Sequence, residues 1–231
     1  MGSIYLVRHG QAAYGTDDYD RLTTLGFAQA RLLGTYFGLR QIRFQAVYTG
    51  ELRRHAETAQ GIMEAYPYAE GVPTPERCAG LNEYSAEALV TALTGSAPTL
   101  DPAAALRDPL IVRERFRLLR QALLAWTEDR IRPAGMPQWT AFQDAAVAAV
   151  VQARERFPEG NVLLISSGGP IAATVAAALD APAQTAVELN LRMRNTSVTE
   201  LASSARRHAL VYFNALPHLD MHPDSRLTTY A

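Results

Sequence analysis

The stretch that most constrains this chain is Ser3-Ile4-Tyr5-Leu6-Val7, followed at once by Arg8-His9-Gly10-Gln11. A short apolar run rich in β-branched and aromatic side chains reads as a strand buried on both faces, as found inside sheets covered by helices. In an open α/β sheet, ligands bind beyond the carboxyl ends of the strands, which is where Arg8 and His9 are carried. Arg8 offers a planar fork of donors suited to phosphate or carboxylate oxygens and keeps its charge near neutral pH. His9 can be neutral, and therefore nucleophilic, at pH 7. Gly10 has no Cβ, so the backbone can turn sharply and an anion can approach its N–H groups. The alternative, a chance triplet in which His9 is a satisfied core histidine, is weakened by the position directly after the strand. The expected fold class is α/β, with three layers and a mostly parallel open sheet flanked by helices.

A length of 231 residues suffices for one sizeable α/β core, so residues 1–231 read as a single domain. Hydrophobic residues make up 48% and charged residues 19%, an ordinary balance for a soluble protein, and no apolar run reaches membrane-spanning length. Ile4 to Val7 is too short for the core of a secretory signal, and the expected location is cytoplasmic. A formal net charge of -1 lacks the basic field that a nucleic-acid partner would need. Cys78 stands alone, which excludes an internal disulfide.

All 22 basic residues are arginine; lysine is absent. With abundant alanine, this points to a GC-rich bacterial coding source. The absence also excludes a Walker-type phosphate loop and Schiff-base catalysis, both of which need the amine. Cys78 has Tyr84 where a cysteine-dependent phosphatase would carry its arginine, and Asp18-Tyr19-Asp20 does not follow a strand as an aspartate nucleophile would. No spaced ligand cluster suggests a metal, and no cofactor is expected.

Beyond the first strand, residues 12–21 read as a polar loop, and Thr23 or Thr24 caps a helix with a core stripe of Leu25, Ala28, Leu32, Tyr36 and Leu39. Ala46-Val47-Tyr48 reads as a second strand ending at Thr49-Gly50. The helix after it carries Arg53, Arg54 and His55 in its first turns, where a helix N-terminus already favours an anion. Asn161 to Ser166 is another buried strand, turned by Ser167-Gly168-Gly169-Pro170 into a helix expected to start with the proline. Between about residues 86 and 158 the text is helical, with stripes at Val112, Phe116, Leu119, Leu123 and Trp126 and at Phe142, Ala146, Val150, Ala153 and Phe157. Pro98, Asp101-Pro102 and Pro133 to Pro137 divide this region. It suits a helical cap over the sheet's carboxyl edge, in which Arg107, Arg113, Arg115, Arg117 and Arg120 could bring substrate contacts, although most of them read as a solvated helix face. Asn195 to Leu201 and Ala209 to Phe213 read as strands joined by a turn over residues 203–207. His218 reads as a structural hydrogen-bonding residue, and residues 221–231 as a loose tail.

Several segments together resemble one family. Arg8-His9-Gly10 looks like the signature of the histidine phosphatase superfamily, the phosphoglycerate mutase-like proteins, and Leu22 to Ala30 is similar to the segment that follows it there. Thr49-Gly50-Glu51-Leu52-Arg53-Arg54-His55-Ala56-Glu57-Thr58-Ala59 resembles that family's second arginine motif, and Leu81-Asn82-Glu83 its acid motif. The resemblance covers roughly residues 3 to 84 and 160 to 219, and the co-occurrence is far more specific than any single motif. It departs at Ser167, where the family usually has a second catalytic histidine, and at Ala12 and Gly15, where neutral donors are common.

The resemblance implies a phosphomonoester hydrolase. His9 would accept the phosphoryl group as a phosphohistidine, and Glu83 would act as acid and then base. Arg8, Arg54, Ser167 and Gly168 would bind phosphate. The expected partner is a small phosphorylated substrate or phosphate. A homo-oligomer is compatible with the sequence but not derivable from it. Losing one donor at Ser167 costs roughly 100- to 1,000-fold in such a site, so the expected enzyme is weak or of narrow specificity. The alternatives are a catalytically impaired phosphate-recognising or scaffolding protein and a phosphoglycerate mutase. Retention of both His9 and Glu83 argues against a mere binder.

Overall fold

The computed structural model describes residues 2–16, 18–97, 108–204, 207–220 and 222–230. Pro98, Asp101, Pro102, Arg107 and two residues of the expected 203–207 turn lie outside the described residues. Six strands, β1 (Gly2–Arg8), β2 (Phe44–Thr49), β3 (Glu76–Arg77), β4 (Asn161–Ser166), β5 (Val198–Ser204) and β6 (Arg207–Ala215), form one sheet in the order β3-β2-β4-β1-β5-β6. The first four in that order run parallel, and β5 and β6 add an antiparallel edge. Seven α-helices accompany them among the described residues: α1 (Thr24–Leu39), α2 (Arg53–Ala65), α3 (Ala86–Thr94), α4 (Pro109–Thr127), α5 (Trp139–Arg156), α6 (Gly168–Ala178) and α7 (Ala183–Asn190).

Because successive strand side chains point to opposite faces, β1 and β4 each feed two cores. Ile4, Leu6, Val162 and Leu164 pack with residues of α4, α5, α6 and α7, among them Trp126, Phe142, Val150, Ile171 and Val187. Tyr5, Val7, Leu163 and Ile165 pack with Leu33 and Phe37 of α1 and Ala59 and Ile62 of α2. This double burial gives the three-layer α/β architecture, and it explains why neither strand alternates polar with apolar residues. Within the stretch 86–158, α5 belongs to the layer covering the sheet. α3 and α4 also bury Leu89, Ala122, Leu123 and Trp126 in that layer, and their other faces border a groove of about 670 Å³ with the loop after β1.

The expected stripe on α1 is out of phase. Gly26, Gln29, Ala30, Leu33, Gly34, Phe37 and Gly38 form its buried face, while Leu39 is 79% exposed. The glycines explain the choice, because a Cβ at Gly34 would stand 2.2 Å from the Ile62 carbonyl oxygen. Close helix-to-helix approach thus selects the small-residue face over the leucine face. Leu25 and Leu32 pack instead against Leu216, Leu219 and Leu227. Thr23 does cap α1, its hydroxyl accepting from Gly26 N–H at 3.0 Å.

The tail is also tied down. Gln29 Nε2 donates to the Leu227 carbonyl at 2.7 Å, and Asn195 N–H to the Thr229 carbonyl at 2.9 Å. No helix among the described residues is long and apolar enough to cross a membrane.

Candidate active site

Strand register assembles the site. Arg8 lies opposite Ser166 in the β1–β4 pair, and His9 N–H continues the ladder by donating to the Ser166 carbonyl at 2.9 Å. Thr49 lies opposite Ile165 in the β2–β4 pair, and Gly50 N–H donates to the Ile165 carbonyl at 3.0 Å. The carboxyl ends of β1, β2 and β4 therefore deliver His9, the entry to α2 and Ser167 to one edge.

Gly10 turns the chain out of β1 in contact with α1, where a Cβ would come within 2.6 Å of the Gly26 carbonyl oxygen. Its N–H donates to Thr58 Oγ1 on α2 at 3.0 Å. Its carbonyl lies 2.8 Å from His9 Nδ1. A carbonyl can only accept, so Nδ1 carries the proton and Nε2 carries the lone pair. His9 is buried, and its pKa is pulled well below the ordinary value by burial first, then by the charges of Arg8 and Arg54. The ring is therefore a neutral imidazole in the field of two cations. That is the protonation state and tautomer of a nucleophile facing an anion.

Arg54 sits in the first turn of α2, buried, with its guanidinium carbon 5.3 Å from the centre of the Tyr19 ring. Asp20 holds it: Oδ1 accepts from Arg54 Nη1 at 2.6 Å while Oδ2 accepts from Arg53 N–H at 2.8 Å. A carboxylate thus occupies the anion-favouring start of α2. Arg8 Nη1 donates to the carbonyls of Met193 and Tyr230.

Glu83 follows a short turn after β3, and its two oxygens accept from Gly169 N–H at 3.1 and 3.3 Å. A Cβ at Gly169 would stand 2.2 Å from Glu83 Oε1, so only glycine permits this approach. Burial raises the Glu83 pKa, against the pull of Arg54, Gly169 N–H and Arg8. α6 begins at Gly168, with Pro170 third rather than first. Every N–H in a first turn lacks an intrahelical acceptor, so proline fits anywhere in it, and Gly169 N–H is free for Glu83. Ser167 is fully buried and makes no cap bond to α6; its Oγ lies 2.7 Å from His55 Nε2.

The structure thus gathers Arg8, His9, Arg54, Glu83, Ser167 and Gly168 at one sheet edge. It adds residues that sequence reasoning did not single out. In the sequence His55 is one more polar residue of the helix start, and Tyr19 and Asp20 belong to the polar loop. Asn195, which the sequence pattern puts at the beginning of a strand, precedes β5 instead, and its Nδ2 donates to the His9 carbonyl at 3.1 Å. Only Asp20 left a signal, as an acidic residue in a loop that must pass the arginines. No group of three or more metal-ligating side chains occurs among the described residues.

The model of the histidine phosphatase superfamily (branch 1) matches residues 4–93 and 110–216. The chain belongs to that superfamily. Its enzyme class is accordingly that of the histidine-type phosphatases. The chain is 26% identical to "Putative phosphoserine phosphatase 2" of Hydrogenobacter thermophilus, over 94% of this chain and 98% of the relative. Two solved structures share its fold. A phosphoserine phosphatase variant of Entamoeba histolytica, solved with phosphoserine, has a TM-score of 0.65 at 18% identity, covering 95% of this chain and 100% of that one. A mycobacterial glucosyl-3-phosphoglycerate phosphatase has a TM-score of 0.63 at 24% identity, covering 93% and 99%.

Proposed function

We propose that this chain hydrolyses a phosphomonoester of a small metabolite through a phosphohistidine on His9. The observation that carries the reading is the neutral His9 ring, with Nδ1 fixed on the Gly10 carbonyl and Nε2 left as the lone pair, in the field of the Arg8 and Arg54 charges. In the first step Nε2 forms a bond to phosphorus as the bond to the ester oxygen breaks, and Glu83 gives its proton to that oxygen. In the second, water attacks the phosphohistidine, the ionised Glu83 takes a proton from it, and phosphate leaves. Arg8, Arg54, Ser167 and the Gly168 N–H hold the non-reacting oxygens, in a step that needs mostly positioning and charge stabilisation.

The raised pKa of Glu83 supports this assignment, since an acid must still hold its proton when the ester arrives. A phosphate-recognising scaffold would need neither that proton nor a lone pair on His9. The substrate is taken to be small because superfamily structures hold phosphoserine and 3-phosphoglyceric acid. α3 and α4 act as the cap that sets specificity. Brief incubation with an aryl phosphate, quenching in mild alkali and intact-mass analysis should show a phosphoryl adduct that His9→Ala lacks. Undiminished turnover by His9→Ala would overturn the mechanism.

A further inference from the structure

His55 is completely buried on α2, directly after Arg54, and its ring centre lies 5.8 Å from that of His9. Its Nε2 has one partner, Ser167 Oγ at 2.7 Å, while its buried Nδ1 has none. Nδ1 packs beneath Gly50, where a Cβ would come within 2.2 Å of it. A buried imidazole with a single bond, aimed at a serine that ignores its own helix, calls for an account beyond packing. We propose that His55 is a positioning residue, which donates from Nε2–H to Ser167 Oγ and so turns the serine hydroxyl proton onto a phosphoryl oxygen.

The argument rests on the reading that Ser167 touches the phosphoryl group, and then on a count of protons. A serine hydroxyl has one proton and can accept through its lone pairs. A phosphoryl oxygen facing it only accepts, so the hydroxyl must donate outward and receive from its other neighbour. Nε2 is that neighbour, and it must carry the ring proton. The bare Nδ1 agrees with this assignment: in the other tautomer it would be a buried N–H with no acceptor, the rarer kind of orphan. The ring stays neutral because burial and the adjacent Arg54 charge hold its pKa at about 3. His55 therefore supplies direction rather than charge. Free serine hydroxyls rotate; this one is fixed along a buried line from α2 to the end of β4.

A double-mutant cycle separates this role from mere packing. Ser167→Ala should lower kcat by roughly 100- to 1,000-fold, the value of one such donor. His55→Phe should lower it comparably, the double variant should be no worse than the poorer single, and His55→Gln, which keeps a donor, should recover part of the loss. Losses that multiply, or a full-speed His55→Phe beside a slow Ser167→Ala, would overturn the proposal while leaving Ser167 as a phosphate contact. An unaffected Ser167→Ala would instead remove Ser167 from the site, and this role of His55 with it. Nitrogen NMR of the histidine rings in the wild-type protein with bound vanadate does not depend on any variant folding. It should show the Nε2–H tautomer at His55, and an Nδ1–H tautomer would refute the assignment.

Discussion

Lowering the pH from 7 to 5 should destabilise this protein steeply, through histidines that the fold keeps neutral. His55 and His218 titrate at about 3 in the folded chain, mainly because burial disfavours the charged ring. In the unfolded chain each titrates at about 6.5. A folded pKa below the unfolded one means that the unfolded state binds protons first. The stability tied to the neutral rings is therefore present above about pH 6.5 and is lost as pH falls toward 3. At about 1.4 kcal/mol per pH unit, the interval from 6.5 to 5 costs roughly 2 kcal/mol for each ring, or about 4 kcal/mol together. Against a typical total of about 5–15 kcal/mol, that is a large share. For a chain of this length it corresponds to a fall in Tm of roughly 8–16 °C. His9, also pulled down, adds to the loss. Glu83 opposes it: its raised pKa contributes stability at low pH that is lost as pH rises through the folded value. Thermal unfolding followed by circular dichroism at the two pH values gives the shift, and His218→Asn should shrink it by roughly 4–8 °C, the share of one ring. A Tm that is flat between pH 7 and 5, or an undiminished shift in His218→Asn, would refute the reasoning.

Gly169→Ala should push Glu83 out of place, since the new methyl would lie 2.2 Å from Oε1 and 2.7 Å from the Tyr84 ring. The loss should approach the roughly 100- to 10,000-fold value of a general acid on alkyl phosphates and be small on aryl phosphates, whose leaving groups need no proton; equal losses on both would count against Glu83 as the acid. Ser167→His should lower both stability and turnover, because His55 Nε2 already stands 2.7 Å from the serine oxygen. Adding His55→Ala should clear that space and recover turnover, and a Ser167→His variant that is already faster than wild type would show that the space was empty.

The central strands were legible because β1 and β4 are buried on both faces and so carry continuous apolar runs with little alternative reading. Their register was not legible, yet it decides that His9 and Ser167 come to the same edge. The arginine motif was visible as text, and its local geometry followed from the start of a helix. The α1 stripe departs from the pattern for a definable reason: leucines score as core in any pattern, whereas burial there is set by how closely other segments approach, Ile62 of α2 at Gly34, Gln11 at Gly26 and Pro67 at Gly38. His55 was missed because nothing along the chain distinguishes a buried histidine from a solvated one in the first turn of a polar helix. Its partner lies 112 residues away, and only the β2–β4 pairing makes them neighbours. The tail was not legible for a similar reason, since most of its anchors are the backbone carbonyls of Leu227, Thr229 and Tyr230, which every residue has and no composition reveals, joined by the Thr229 hydroxyl and the buried Leu227 side chain.

Those anchors bear on the nucleophile itself. The His9 carbonyl accepts from Asn195 Nδ2 and from Thr196 N–H, at 3.1 and 3.2 Å, so the peptide carrying the ring is gripped from behind. Thr196 holds this position at a φ of 54°, a left-handed conformation that a β-branched residue adopts only at a cost of about 1–3 kcal/mol. What holds it there is its hydroxyl, 2.7 Å from the Asn195 carbonyl and 2.9 Å from His218 Nε2. The hydroxyl proton goes to that carbonyl, which can only accept, so His218 must bring the proton of its own bond. Asn195 is held in turn by the tail through the Thr229 carbonyl and hydroxyl, and Arg8 by the Tyr230 carbonyl. The placement of His9 and the acid sensitivity of the fold thus share one element. Protonating His218 charges a buried ring behind the strained turn that positions the nucleophile, so acid should disturb the site along the same path by which it unfolds the chain.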